Sequence, residues 1–341
     1  MRELLHSVAV RAARYLEDIQ ERRVGPSEGA VRDLARFDEP MPEGPMAPED
    51  VIGMLDEVGS PATMGIAGPR FFGFVIGGSL PAALGANWLA TAWDQNAGLF
   101  AATPVSAALE EVSLRWLLDV LALPAGCGGA FVTGATMANF TALAAARHAV
   151  LGRVGWDAEA RGLFGAPEIQ IVVSEEAHPS VIKALGMLGM GRERVVKVPV
   201  DGQGRMQAGA LPELRRPGIV CVQVGNVNTG SCDPVEEICR RAHESGAWVH
   251  VDGAFGLWAA ASPRHAHLVA GAGEADSWAT DAHKWLNVPY DSGLALVRDA
   301  EHLRGAMSLT AAYLPQAATA NPRSMFPNSR GAPAGWIPGP R

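Results

Sequence analysis

The chain has 341 residues, more than one small module needs, which suits one large α/β domain, alone or with a smaller partner. Hydrophobic residues make up 48% and charged residues 19%, which excludes disorder as the main state. The net charge of −8 argues against nucleic acid as a ligand, because a phosphate backbone needs a basic face.

In chain order, Leu4, Leu5, Val8, Tyr15, Leu16 and Ile19 alternate with Arg and Glu. That pattern predicts an amphipathic helix and lacks the apolar core of a signal peptide, so no export is expected. Residues 1–65 read as a helical arm of one or two helices with an acidic, Pro-rich connector over 36–48, a composition suited to packing on another subunit. The uncharged run 71–93 is long enough to span a bilayer, yet it holds Pro81, Asn87 and several glycines without basic flanks. It is expected to be a buried loop and helix, with no membrane partner.

From Phe131 onward, short β-branched runs alternate with helical stretches, at the spacing of βαβ crossovers and a mostly parallel sheet. The predicted strands are 169–174, 194–200, 218–224, 247–252, 276–280 and 293–297. Asp233-Pro234 predicts a helix with Asp233 at the N-cap and Pro234 in the first position; Val235, Ile238, Cys239 and Ala242 form its apolar stripe. Residues 316–341 turn to Pro, Gly, Ala and Asn without periodicity and read as loop or disorder.

Cys127, Cys221, Cys232 and Cys239 include no CxxC pair, so neither a zinc site nor a secreted disulfide framework is indicated and a reducing cytoplasm fits. Neither a Walker loop nor G-x-G-x-x-G occurs, and no Tyr stands four residues before a lysine. His265 and His267 form a pair that solvated surface histidines explain as well as a metal does, and no metal is expected.

What remains lies at predicted strand ends. Thr133-Gly134-Ala135-Thr136 leads from an apolar run into a helix, offering backbone N–H groups and a hydroxyl to an anion, although Thr is also an ordinary N-cap. Asp252 ends the run from Trp248, on the sheet edge where α/β folds bind ligands, although an Asp there can also simply form a turn. His178 follows Ser174-Glu175-Glu176-Ala177 at a strand-to-helix turn, where a structural role is equally open. Lys284 follows Asp281-Ala282-His283 and precedes Trp285. It is one of only three lysines, with Lys183 and Lys197, among 28 basic residues. A lysine kept in an apolar neighbourhood by a chain otherwise rich in arginine suggests a need for a deprotonatable amine. An anion cup, an Asp, a His and a Lys on one sheet edge meet the needs of pyridoxal phosphate.

These residues resemble the group II pyridoxal-phosphate decarboxylases, the family of the aromatic-L-amino-acid, glutamate and histidine-type enzymes. The resemblance runs from Pro69-Arg70-Phe71-Phe72 through Thr133–Asn139, His178, Asp233-Pro234 and Asp252-Gly253-Ala254 to Asp281-Ala282-His283-Lys284-Trp285. It implies an α/β fold of the fold-type I large-domain kind, mostly parallel with helices on both faces, over residues 66–315. It further implies that Lys284 forms the Schiff base with pyridoxal 5'-phosphate, that Asp252 holds the pyridinium nitrogen, and that Ala254 and His178 lie against the two ring faces. Gly134, Ala135 and Thr136 would bind the phosphate, with Asp281 and His283 nearby.

The implied reaction is decarboxylation of an L-amino acid, aromatic or small, by a cytoplasmic homodimer. Transamination, oxidative deamination or a non-catalytic role are the alternatives on the same fold. Many members read G-T-T where this chain reads Gly225-Asn226-Val227, so Asn226 is expected to replace a hydroxyl beside the cofactor. The family also continues into a C-terminal domain, so 316–341 reads as a truncated tail, with poor turnover and exposed apolar surface as the expected consequence.

Overall fold

A computed structural model describes residues 1–98, 100 and 102–308. The expected tail 316–341 lies outside the described residues. The chain divides into two compact units, Met1–Ser79 and Leu80–Arg341. The first contains α1 (Arg2–Asp18), α2 (Glu28–Asp33) and α3 (Pro48–Met54). Arg11 and Arg14 of α1 both donate to Asp56 Oδ2 at 2.7 Å, and Ser27 caps α2 by accepting from Ala30 N–H at 3.1 Å. The arm therefore has three helices, and its proline-rich connector stays non-helical from Asp38 to Ala47.

The second unit begins with α4 (Pro81–Trp93) and α5 (Pro104–Val120). Next come β1 (Gly128–Val132), α6 (Ala135–Gly152), α7 (Ala158–Arg161), β2 (Gln170–Ser174), α8 (Pro179–Met187) and β3 (Val196–Val198). The remaining elements are β4 (Gly218–Gln223), α9 (Val235–Glu244), β5 (Trp248–Asp252), β6 (Ser277–Asp281), β7 (Gly293–Val297) and α10 (Ala300–Met307). The sheet order is β1-β7-β6-β5-β4-β2-β3, parallel except for β7, which runs against both neighbours. Because β7 reverses between them, β1 and β6 point the same way. All six parallel strands therefore present their carboxyl ends on one edge.

The strands at the centre read as continuous apolar runs because both faces are covered. On one side β4 and β5 pack their Val220, Val222, Val249 and Val251 with Leu114 and Leu118 of α5 and Ile238 and Cys239 of α9. On the other, Ile219, Cys221 and Trp248 pack with α6, α8 and α10. The α6 helix is rich in alanine, and Ala138, Ala142, Ala144, Ala145 and Ala146 are buried. Such small side chains let the helix axis lie close to the sheet and bring its polar residues within reach of the strands.

Two expectations need correction. Asp233 is not the N-cap of α9: the cap position is Pro234, and the Asp233 carboxylate accepts instead from Met206 and Gln223 N–H, both at 2.7 Å. A buried acid does better with two strand-edge donors than at one helix end. The run 71–93 is not buried either, since Phe72 is 93% exposed and α4 has no buried residue. No helix among the described residues is long and apolar enough to cross a membrane.

Candidate active site

Parallel registry assembles the site. His250 pairs with Ser277 and Asp252 with Ala279, so β6 carries Asp281 two residues further along the edge than the end of β5. The backbone of Gly134 follows β1 onto the same edge at φ +150°. A Cβ on Gly293, at the start of β7, would stand 2.6 Å from the Gly134 Cα and carbonyl carbon. Glycine is required at Gly293 by that close backbone approach and at Gly134 by its positive φ.

Asp252 is buried. Its Oδ1 accepts from Ala254 N–H at 3.2 Å and its Oδ2 from Asn139 Nδ2 at 3.3 Å. Burial pushes its carboxyl above the usual range, while His178, the Ala254 N–H, Lys284 and Asn139 all pull it back. The half-buried Lys284 places Nζ 3.6 Å from Asp281 Oδ2 and 5.8 Å from the centre of the Phe255 ring. Asp281 is held from three sides. Its Oδ1 accepts from Ala135 N–H at 2.5 Å, its carbonyl from Trp258 Nε1 at 3.1 Å, and its N–H reaches Ala254 O at 3.1 Å.

His283 stacks against Tyr290 with ring centres 4.2 Å apart. Its Nδ1 is buried without a hydrogen-bond partner among the described residues. His178 is the N-cap of α8, its Nδ1 accepting from Ser180 N–H at 3.2 Å and lying 2.8 Å from Ser180 Oγ. Its own N–H donates to Gln223 Oε1 at 3.2 Å, which ties the turn after β2 to the end of β4.

Gly134, Ala135, Asp281, His283, Lys284, Asp252 and Ala254 thus form one linked set, with His178 joined through Asn139 and Ser180. The Ala135 N–H donates to Asp281, while Gly134 and Thr136, at the start of α6, are not engaged by a described side chain. Asn226 Nδ2 donates to Glu176 Oε2 at 2.7 Å and its Oδ1 accepts from Asn228 and Thr229 N–H at 2.8 and 3.3 Å, so its amide ties the loop after β4 to the turn that carries His178.

Ser180, His250 and Ser277 were not among the candidate site residues, and Asn139 entered only as the end of the Thr133–Asn139 motif. The available signal was His250 two residues before Asp252 on a strand, which places both side chains on the same face.

The match to the pyridoxal-dependent decarboxylase conserved domain extends over residues 32–331. The chain belongs to that family. It is 28% identical over 310 residues to an aromatic-L-amino-acid decarboxylase of Bacillus atrophaeus, covering 86% of this chain and 61% of that protein. With the corresponding protein of Cavia porcellus it shares 34% over 324 residues, 89% of this chain and 66% of the relative. Oryza sativa TDC, solved with PLP and tryptamine, superposes with a TM-score of 0.83 at 25% identity, covering 93% of this chain and 67% of that one. The chain therefore spans a little under two thirds of the length of these curated relatives. The decarboxylase fold expected from the motifs, α/β and mostly parallel with helices on both faces, is the fold found.

The residues fit pyridoxal phosphate. A buried acceptor-only carboxylate suits a protonated ring nitrogen, a half-buried amine suits the aldehyde, and the unspent His283 Nδ1 with the first turn of α6 suits the oxygens of an anion.

Proposed function

We propose that this chain binds pyridoxal phosphate and, as a homodimer, converts an L-amino acid, aromatic in the first instance, to the amine and carbon dioxide. The observation that carries this reading is the buried Asp252 carboxyl at the end of β5, under the combined influence of Lys284 and His178. When bound, pyridoxal phosphate would supply an electron sink for loss of carbon dioxide from the substrate.

Asp252 holds the ring nitrogen, because a carboxylate buried in low dielectric is stabilised by a cation against it. Lys284 supplies the amine for the aldehyde carbon, and Asp281 Oδ2, 3.6 Å away, orients its ammonium. Thr136 and His283 take the phosphate end, where the helix dipole of α6 favours negative charge. His178 contributes a flat imidazole whose Nδ1 is occupied by Ser180, and Ala254 a methyl small enough to let a ring lie against it.

Exposed apolar residues on α5 support the dimer: Val105, Leu109, Trp116 and Val120 fall on one helical stripe, opposite the buried Leu114 and Leu118. Four unpaired cysteines suit a cytoplasmic setting. The aromatic preference rests on the first relatives, both aromatic-L-amino-acid decarboxylases.

Carbon dioxide release on a panel of aromatic, acidic and small L-amino acids, with the products identified, tests the reading. Amine formed in step with carbon dioxide from an aromatic substrate is expected. Aldehyde or keto acid in place of amine would redirect the reading to another reaction on this fold.

A further inference from the structure

A continuous set of buried hydrogen bonds runs from the interior to the site. Trp248 Nε1 lies 2.8 Å from Ser277 Oγ, which lies 2.9 Å from His250 Nδ1. His250 Nε2 is 2.8 Å from Asn139 Oδ1. Asn139 Nδ2 then reaches both Asp252 Oδ2 at 3.3 Å and Ser180 Oγ at 3.2 Å, and Ser180 Oγ is 2.8 Å from His178 Nδ1.

The Asp252 end dictates the direction. Indole N–H is a donor only, so Ser277 Oγ accepts from Trp248, but its second lone pair and its own hydrogen let it meet either tautomer of His250. An ionised Asp252 is an acceptor only, so Asn139 must face it with Nδ2. That leaves Oδ1 for His250 and demands Nε2–H, so Ser277 Oγ donates to His250 Nδ1. The branch to Ser180 has the same polarity, because Ser180 Oγ accepts from Asn139 and donates to His178 Nδ1, which also accepts Ser180 N–H.

We infer that this relay aims the Asn139 amide at Asp252 and fixes His178 as its Nε2–H form, making Asn139 and His250 positioning residues of the site. The physical gain is preorganisation. Asp252 needs donors to remain a carboxylate in the interior, and Asn139 supplies one of the two hydrogen bonds its side chain makes among the described residues. A free Asn139 could rotate its oxygen toward the carboxylate. His250, itself unable to rotate without breaking two bonds, prevents that. The role toward the cofactor rests on the functional reading above, whereas the polarity of the relay does not.

The test uses the full chain, labelled with 15N at histidine, before and after adding pyridoxal phosphate. Long-range correlation spectra distinguish the two imidazole tautomers. Before the cofactor is added, His250 and His178 are expected as single Nε2–H forms. Because the Asp252 end alone specifies the direction, Ser277→Ala should leave His250 as Nε2–H, while Asn139→Leu should give mixed tautomers. An Nδ1–H form of His250 in the unmodified chain overturns the inference, and that measurement needs no variant to fold. A single Nε2–H form that persists in the folded Asn139→Leu variant overturns it too.

In the second arm, His250→Leu should weaken pyridoxal phosphate binding about tenfold, the loss expected when a buried polar group is left unpaired. His250→Gln, which restores a donor to Asn139, should recover most of it. Equal affinity for the Leu and Gln variants counts against positioning. If the unmodified chain binds no pyridoxal phosphate but the tautomers behave as stated, the relay stands and the functional reading fails.

Discussion

Single substitutions separate the roles proposed for Lys284 and Asp252. Lys284→Ala should abolish a borohydride-reducible cofactor adduct, while Lys183→Ala and Lys197→Ala retain it; a reduced peptide labelled at Lys183 or Lys197 would refute the assignment. Asp252→Ala should keep the adduct but lose over a hundredfold in turnover, about 3 kcal/mol of the kind lost with one preorganised charge partner. Near-normal turnover would show that Asp252 serves only its turn. His250 gives a pH prediction. Burial lowers it from 6.5 to about 3, so between those values the unfolded chain binds the extra proton and stability falls as pH drops. From pH 7 to pH 5 that loss amounts to about 2 kcal/mol. Urea unfolding of His250→Gln at both pH values should lack that share of the pH dependence, and an identical dependence in both proteins would contradict it.

At the scale of elements, the site depends on backbones crossing at the end of β1 and the start of β7. Gly293→Ala would drive a methyl to within 2.6 Å of the Gly134 backbone, where no flexible side chain can yield. The expected cost is about 2 kcal/mol, typical of overpacking, accompanied by weaker cofactor binding because the turn into α6 must move. Thermal unfolding and a pyridoxal phosphate titration measure the two effects, and an unchanged melting temperature would mean that the crossing is looser than described. The His178 turn is another element-scale device. The same imidazole that faces the site caps α8, so placement of the ring and start of the helix are one event.

Across the whole molecule, the main unpaired feature is apolar surface. On α4, Trp88, Leu89 and Trp93 are about half exposed, and α5 adds Leu109 and Trp116, the latter 65% exposed. A second copy of the chain is the proposed cover, so sedimentation equilibrium should give a dimer. Leu109→Glu with Trp116→Glu should shift it toward monomer without altering the far-ultraviolet circular dichroism. A monomeric parent chain would remove this support for the dimer.

Much was legible from local pattern. The apolar runs from 169 to 297 located the strands to within a few residues, because a strand covered on both faces must be apolar throughout. The scarcity of lysine isolated Lys284, and Asp252 stood out as a carboxylate at the end of such a run. Asp233 was misread because a polar group's partner is chosen in three dimensions. Asp233 found strand-edge N–H groups 10 and 27 residues away, and the Ala135 N–H found Asp281, 146 residues on. The exposure of α4 likewise depends on what packs beside it, which its own composition does not state. The sequence by itself determined the alternation of strand and helix and the residue types at the strand ends, since these follow from short-range periodicity and charge. Only the tertiary structure decided that Asn139 on α6, His250 on β5 and Ser277 on β6 share one buried line of hydrogen bonds, because that line requires parallel registry between strands and an alanine-lined helix pressed close against them.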